Sequence, residues 1–197
     1  MGQETSLRSV LRKLSAVEAA ARLLGCDIIR LVGGKKVIGR IVETEAYDQS
    51  DPSSHSFRGV TKRNAVMFGP AGMTYVYFTY GMHYCMNVVV GKENEGSAVL
   101  IRALQPLEGL NLMFNNRKVD KTENLTNGPA KLTQALGIDL KLNAHDLSTP
   151  PLTIKLNPPI KDSQIQWSSR IGIREKKDEI KLWRAGIKDN KYISKPL

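Results

Sequence analysis

Two pairs of β-forming segments, each interrupted by a short turn containing glycine, constrain the fold of this chain most. DIIRLV and KKVIGRIVETEAY flank Gly33 and Gly34, while MTYVYFTY and HYCMNVVV flank Gly81 and Met82. β-Branched and aromatic residues favour strands, and glycine readily adopts the positive φ angles that a two-residue hairpin turn requires. The pattern therefore predicts two antiparallel hairpins.

The remaining segments predict helices and additional strands. Ser15 with Glu18 forms a capping box at the start of a helix that stops at Gly25, and Pro129 and Gly137 bound a second helix. AVLIRAL predicts a further strand, and three later segments also predict strands: PPLTIKL, IQWSSRIGI and IKLWRAG. The polar residues 48–72 predict a functional surface loop. We expect an α+β fold with one domain over residues 1–197: a mainly antiparallel curved β-sheet, flanking helices and a protruding β-hairpin.

Charge and composition narrow the function without deciding it. The 29 Lys and Arg residues exceed the 19 Asp and Glu residues, which leaves a net charge of +10. This excess suits a polyanion-binding surface, but solvated lysines would give it equally. No apolar stretch approaches the ~18 residues of a membrane span, so we expect no membrane partner. The two cysteines lack metal-ligand spacing, which predicts buried reduced thiols and no metal site.

The strand IVETEAY carries two carboxylates that could perform acid–base chemistry. Alternation places Glu43, Glu45 and Tyr47 on one face, with successive members about 6.6 Å apart at Cα. From this segment alone, a solvated strand face is the favoured interpretation. A pair of catalytic carboxylates is the alternative.

Aromatic residues in the second hairpin give the next indication of function. Tyr75 and Tyr77 share one face, which fits either a sheet core or a binding surface. Tyr80 lies near the hairpin tip, where an aromatic side chain can wedge between bases in a DNA minor groove. His55 has no ligand-type neighbour in DPSSHSFRG, so its residue context indicates a structural hydrogen bond.

Three basic residues are candidates for phosphate contacts. Lys62 and Arg63 in TKRN are either solvated charges or DNA-backbone contacts, and spacing does not distinguish these. Lys131 lies early in its predicted helix, where exposed backbone N–H groups also attract phosphate. No lysine in these segments is an evident Schiff-base nucleophile.

Taken together, several blocks resemble the alkyladenine (3-methyladenine or methylpurine) DNA glycosylase family. They are IVETEAY, DPSSHSFRGVTKRNAVMFGPAG, TYVYFTYGMHYCMNVV, VLIRALQPLEG and GPAKLTQALGI, and they occur in the family's order from about Ala19 to Ile138. The chain departs from the family pattern at Ala71 and His83, and the lysine-rich segment after Arg174 matches too loosely to carry over any role.

The resemblance implies a reaction and its catalytic residues. Glu45 would orient and deprotonate the attacking water, and Arg102 of LIRAL would help to hold that water. The substrate would be double-stranded DNA with alkylated or deaminated purines, including 3-methyladenine, 7-methylguanine, hypoxanthine and ethenoadenine. Hydrolysis would leave an abasic site, with no cofactor.

The resemblance also implies how the flipped base is held. Tyr47 and Tyr77 would sandwich it, His55 would contact it from the pocket wall, and Asn87 would crowd the exocyclic amino group of normal guanine. Tyr80 would fill the gap that the base leaves in the duplex. The protein is expected to be a monomer, cytoplasmic at the nucleoid in a prokaryote or nuclear in a eukaryote.

Two other functions remain open from the residues. A non-catalytic DNA-lesion binding module could keep the pocket without turnover, although the presence of Glu45 and Arg102 argues against it. A carbohydrate hydrolase could use Glu43 and Glu45, but two same-face residues of one strand would struggle to reach opposite sides of a sugar ring.

Overall fold

The computed structural model describes residues 6–173 and 180–197, and in these residues eight β-strands join one curved antiparallel sheet. The strands, in chain order, are β1 (Asp27–Val32), β2 (Lys35–Tyr47), β3 (Thr74–Thr79), β4 (His83–Val90), β5 (Ser97–Glu108), β6 (Leu152–Lys155), β7 (Ile165–Ser168) and β8 (Arg184–Ile187). With its flanking helices, this sheet confirms the predicted α+β class. None of the helices in the described ranges is long and apolar enough to cross a bilayer.

The helices are short; two precede the first strand and two lie between β5 and β6. They are α1 (Leu7–Leu11), α2 (Ala16–Leu23), α3 (Leu110–Arg117) and α4 (Pro129–Leu136). The predicted capping box is present in α2, where Ser15 accepts from the Glu18 N–H and Glu18 accepts from the Ser15 N–H. Sequence reasoning missed α1 and α3, because α1 is barely one turn long and α3 buries only Met113, which leaves no apolar stripe to detect.

Strand β2 is the centre of the sheet, whose main order is β3-β4-β5-β2-β1-β6. One edge of β2 pairs with β5, while its other edge pairs first with β1 and then with β8, which in turn pairs with β7. The predicted β1–β2 hairpin is confirmed: Val32 pairs with Lys35, and the two turn glycines have φ of +54° and +77°.

The second predicted hairpin is confirmed, but its turn is one residue longer than expected. Strand β3 ends at Thr79 and β4 begins at His83, so Tyr80 lies in the turn with Gly81 and Met82. Tyr80 has φ of +50°, a left-handed conformation that excludes it from the strand. The turn exposes 88% of Tyr80 and 71% of Met82, so the hairpin presents two large apolar side chains to solvent.

The two faces of the sheet are covered differently. One face packs against the helices in the main core, which includes Val76, Met86 and Ile101, and there Thr44 Oγ1 donates to the Ala20 carbonyl of α2 at 3.0 Å. The opposite face carries a smaller apolar cluster made of Met67, Phe68, Tyr75, Val89 and Ala98. The functional candidates lie on this second face.

The predicted loop 48–72 is more ordered than an irregular surface loop. It contains a 3-10 helix at Ala65–Phe68, and the Asn64 side-chain amide donates to the carbonyls of His55 and Gly59 at 2.7 and 3.0 Å. The late strands are shorter than predicted, because β7 stops at Ser168 and β8 begins only at Arg184. Of the lysine-rich segment, residues 174–179 lie outside the described residues.

Candidate active site

The site is built on a row of side chains that crosses five strands. Register pairs join Tyr75 to Asn87, Asn87 to Leu100, Leu100 to Glu45, and Glu45 to Arg184. Directly opposed residues of antiparallel strands point to the same face of a sheet. These five residues, far apart in sequence, therefore share one face.

Two β-bulges lie beside this row, where β2 meets β5. The register steps from Ile41 opposite Leu104 to Glu43 opposite Ala103, and then to Thr44 opposite Ile101. One extra residue is therefore accommodated on each strand, Val42 on β2 and Arg102 on β5. Bulges redirect side chains and are frequent beside active sites. Here they accompany the approach of Arg102 to both β2 carboxylates.

Glu45 is fully buried and held by one arginine and two hydrogen-bond donors. Arg102 Nη1 lies 3.2 Å from its Oε2, the Tyr47 hydroxyl donates to the same oxygen at 2.8 Å, and the Ile171 N–H donates to Oε1 at 2.7 Å. Glu43 is also fully buried and accepts from Arg102 Nε at 3.3 Å. The predicted shared face is confirmed, but the favoured interpretation of a solvated face is wrong, because β5, β8 and the segment after β7 cover both carboxylates.

A pocket of about 130 Å³ opens beside this carboxylate, and half of its wall residues carry aromatic rings. Its wall consists of Tyr47, Ser53, His55, Met67, Tyr75, Tyr77, Asn87 and Ile173. Glu45 itself is not part of the wall. Since the Tyr47 hydroxyl touches Glu45, the carboxylate lies one hydrogen bond away from the pocket.

His55 is fixed in the pocket wall by aromatic neighbours. Its Nδ1 lies 2.9 Å from the Tyr75 hydroxyl, and its ring meets the Tyr77 ring edge-on at a centroid distance of 4.7 Å. Desolvation of the ring, together with the nearby Arg63 cation, lowers the pKa of His55 from its ordinary value. The imidazole is therefore neutral at physiological pH and can offer one donor and one acceptor.

The tyrosines of the wall keep their protons. Burial and then the charge of Glu45 raise the pKa of Tyr47, while burial and the neighbouring Cys85 raise that of Tyr77. Asn87 is oriented by its Nδ2, which donates to the Tyr75 carbonyl at 3.0 Å. The wall thus offers neutral aromatic faces and a fixed amide to a ligand.

Arg170 supports the wall from behind, and sequence reasoning missed it. Its guanidinium lies over the rings of Tyr47 and Trp183, with Cζ 4.7 and 5.2 Å from the two centroids. It also pairs with Asp51 and donates to the Ala46 carbonyl. No motif surrounds Arg170, so only its position in space reveals its role.

The residues predicted to meet DNA lie on the surface. Lys62 is exposed, and the exposed Arg63 places its guanidinium 5.3 Å from the Tyr77 ring centroid. Tyr80 projects from the hairpin tip. Lys131 lies in the first turn of α4, where its Nζ donates to Asn127 Oδ1 at 2.9 Å.

A buried carboxylate beside an aromatic pocket, in a basic chain with an exposed aromatic hairpin tip, is typical of enzymes that hydrolyse a bond to a planar base taken out of DNA. The family model described as methylpurine-DNA glycosylase matches residues 10–191. The chain therefore belongs to the methylpurine-DNA glycosylase family and is a DNA glycosylase of the hydrolase class.

Curated relatives from three organisms agree with this family, and each carries a provisional assignment as a 3-methyladenine DNA glycosylase. The Carboxydothermus hydrogenoformans protein is 51% identical over 177 residues, which cover 89% of this chain and 92% of the relative. The Francisella tularensis protein is 47% identical over 193 residues, covering 96% and 98%. The Methanoculleus marisnigri protein is 46% identical over 195 residues, covering 96% and 99%.

Proposed function

We propose that this protein flips damaged purines out of duplex DNA and hydrolyses their N-glycosidic bonds with a water activated by Glu45, which leaves an abasic site. The substrates are alkylated and deaminated purines: 3-methyladenine, 7-methylguanine, hypoxanthine and ethenoadenine. The observation that carries this proposal is the contact between Glu45 and Tyr47, because it couples the buried carboxylate to the wall of the aromatic pocket at 2.8 Å.

In the proposed reaction, Glu45 is the general base and Arg102 helps to hold the water. Departure of the purine leaves positive charge on the sugar, and a nearby carboxylate stabilises that charge while it takes a proton from the water. Arg102 contacts Glu45 at 3.2 Å, so a water bound beside this pair would meet both an acceptor and a donor.

The aromatic pocket suits a planar base. Purines alkylated at N3 or N7 are cationic, and the faces of Tyr47 and Tyr77 attract cations by their ring quadrupoles. Tyr47 can do so although Arg170 lies on its ring, since Asp51 neutralises that guanidinium. His55 would hydrogen-bond to the base as a neutral imidazole. The amide of Asn87 would exclude the amino group of guanine.

The exposed residues would position the duplex. Tyr80 would intercalate where the base has left, because its side chain is the most exposed large apolar group described. Lys62, Arg63 and Lys131 would contact phosphates. The protein would act as a monomer, with residues 1–197 forming one glycosylase domain, in the cytoplasm at the chromosome, as the bacterial and archaeal relatives suggest.

A single-turnover assay with Glu45→Gln tests the proposal. On duplexes with one hypoxanthine or one 3-methyladenine analogue, base release should slow by about 10²- to 10⁴-fold, the usual contribution of a general base. Affinity for the lesion duplex should stay near the wild-type value. Glu108→Gln, the same change at an exposed position of β5, should leave release unchanged.

Two results would contradict the proposal. Comparable release by Glu45→Gln would remove the carboxylate from the mechanism. Lesion binding without any release by the wild-type protein would favour the non-catalytic binding module. The carbohydrate hydrolase is disfavoured by the geometry, because two arginines and Ser194 occupy the Glu43 carboxylate and Glu43 is absent from the pocket wall.

A further inference from the structure

Glu43 is a buried carboxylate that accepts hydrogen bonds at both of its oxygens. Its Oε1 accepts from Arg102 Nε at 3.3 Å, Arg184 Nη1 at 3.1 Å and Ser194 Oγ at 2.8 Å, and its Oε2 accepts from the Ser194 N–H at 2.5 Å. A buried charge is costly unless hydrogen-bonded, and four donors satisfy this one. Glu43 is thus fixed in position.

Segment 194–197 closes over this carboxylate and is itself anchored. Arg184 donates to the Lys195 carbonyl at 3.3 Å and to the Pro196 carbonyl at 2.6 Å. Leu197 packs so tightly on Gly186 of β8 that a Cβ there would lie 2.7 Å from its side chain. The segment therefore holds Ser194 against Glu43 from a defined place on the sheet.

Arg102 connects Glu43 to Glu45. It uses Nε for Glu43 and Nη1 for Glu45, and these two nitrogens belong to one rigid planar guanidinium. The hydrogen bond to Glu43 therefore sets where Nη1 meets the Glu45 carboxylate in their ion pair. Glu43 determines where Arg102 meets Glu45.

The charge balance argues for such a role. Glu45 and Arg102 already neutralise each other, so Glu43 and Arg184 add a second buried pair without changing the net charge of the cluster. Buried ion pairs frequently cost more in desolvation than they return in stability. What the second pair supplies to the first is geometry.

We infer that Glu43, locked by Ser194 of segment 194–197, is a positioning residue of the reaction that holds Arg102 in register with Glu45. This inference rests on the proposed function, since it assigns a task to Glu43 only if Glu45 and Arg102 act on water. It excludes Glu43 itself from contact with the substrate.

Glu43→Gln tests the inference, because a glutamine can accept on one side only and would present its amide N–H₂ to either the arginines or the Ser194 N–H. Single-turnover release should slow by about 10- to 100-fold, the effect of losing a hydrogen bond to a charged group. Lesion-duplex affinity should stay unchanged. A folding defect would lower the rate and the affinity together, so a loss of rate alone identifies a positioning role.

Ser194→Ala is the milder variant and keeps the test decisive if Glu43→Gln does not fold. Loss of one hydroxyl should slow release by about two- to tenfold, again at unchanged lesion-duplex affinity. Asp27→Asn is the matched control, since Asp27 is also a carboxylate paired to an arginine on this sheet, outside the site. At a temperature where it is folded, its rate and lesion-duplex affinity should equal those of the wild type.

The outcomes separate the two hypotheses. If the wild type releases base and Glu45→Gln does not, the proposed function stands. Wild-type rates in folded Glu43→Gln, or in Ser194→Ala if the former does not fold, then overturn the positioning role alone. If the wild type releases no base, the proposed function fails first.

Discussion

The two halves of β2 have different environments within one continuous strand. In the outer half, residues 35–40, exposed or partly exposed positions surround the buried Val37 and Gly39; the strand pairs with β1 in regular register and with β5 through one irregularity after Ile38. In the inner half, residues 41–46 are all buried, and the pairing with β5 contains two bulges. The inner half is therefore covered on both faces and irregular where it carries its carboxylates.

Each half has an arginine–carboxylate interaction, and the two interactions differ in how far their side chains are exposed to solvent. The outer pair joins Arg40 to Asp27 at 2.9 Å, and the Arg40 side chain keeps 42% of its exposure. The inner cluster joins Arg102 to Glu43 and Glu45, with side chains 9%, 0% and 0% exposed. Similar chemical groups thus form a partly solvated cross-strand contact in one half and a desolvated cluster, the proposed catalytic centre, in the other.

The largest expected effect comes from Arg102→Met, which would leave two buried carboxylates without the cation that they share. Removing one partner of a buried ion pair typically costs about 3–5 kcal/mol, so the free energy of unfolding should fall by that amount. Base release should be lost as well. Urea denaturation and the single-turnover assay measure the two effects.

Arg40→Met in the outer half is its control and should cost less, about 1–2 kcal/mol, because Arg40 is partly exposed and Asn157 still donates to the buried Asp27 carboxylate. Equal losses of stability in Arg102→Met and Arg40→Met would remove the distinction between the two halves.

An intermediate effect is expected from Gly39→Ala in the outer half. A Cβ at Gly39 would lie 2.8 Å from Leu104 Cδ1 and 3.0 Å from Leu104 Cβ, so the core beneath β5 must shift. Overpacking of this kind costs about 1–3 kcal/mol. The folded variant should release base at the wild-type rate, and a marked slowing at low temperature would show that the outer half also shapes the site.

The smallest effect is expected from Asp27→Asn and depends on pH. Burial raises the pKa of Asp27, but hydrogen bonds from Arg40 and Asn157 and the nearby cations outweigh it, so the net pKa is lowered. When the pKa is lower in the folded state, the ionised carboxylate stabilises the fold. This stabilisation is complete above the pKa of the unfolded state and disappears as the pH falls through the pKa of the folded state.

The free energy of unfolding of the wild type should therefore exceed that of Asp27→Asn by about 1 kcal/mol or less at neutral pH. The difference should vanish as the pH falls below 3.8, the ordinary value for this carboxyl group. Thermal or urea unfolding across this range measures it, and a difference that grows toward low pH would contradict the assigned ion pair.

Sequence reasoning succeeded where one residue type or one short pattern determines the local structure. The glycine pair of the β1–β2 turn, the Ser15–Glu18 capping box and the bounds of α4 all follow from local chemistry. The shared face of Glu43 and Glu45 followed from strand alternation and is confirmed by their common contact with Arg102.

The rest depends on contacts that local patterns do not encode. The burial of Glu45 requires the Ile171 N–H, 126 positions away, and that of Glu43 requires Ser194, 151 positions away. Arg170 and Arg184 are single arginines in unremarkable segments, so their tasks emerge only when β7 and β8 reach β2. For the same reason, strand alternation alone favours a solvated face around Glu45, whereas the distant segments bury it.

The distance in sequence between Glu43 and Ser194 also sets an order of events during protein synthesis. Glu43, Glu45 and Arg102 leave the ribosome long before Arg184 and Ser194, and chains fold from their N-terminal parts while they are still being made. A growing chain therefore holds two carboxylates against a single arginine, an unbalanced negative charge. Only translation of the remaining residues supplies Arg184 and Ser194, so the cluster around Glu43 is the last part of β2 to be neutralised.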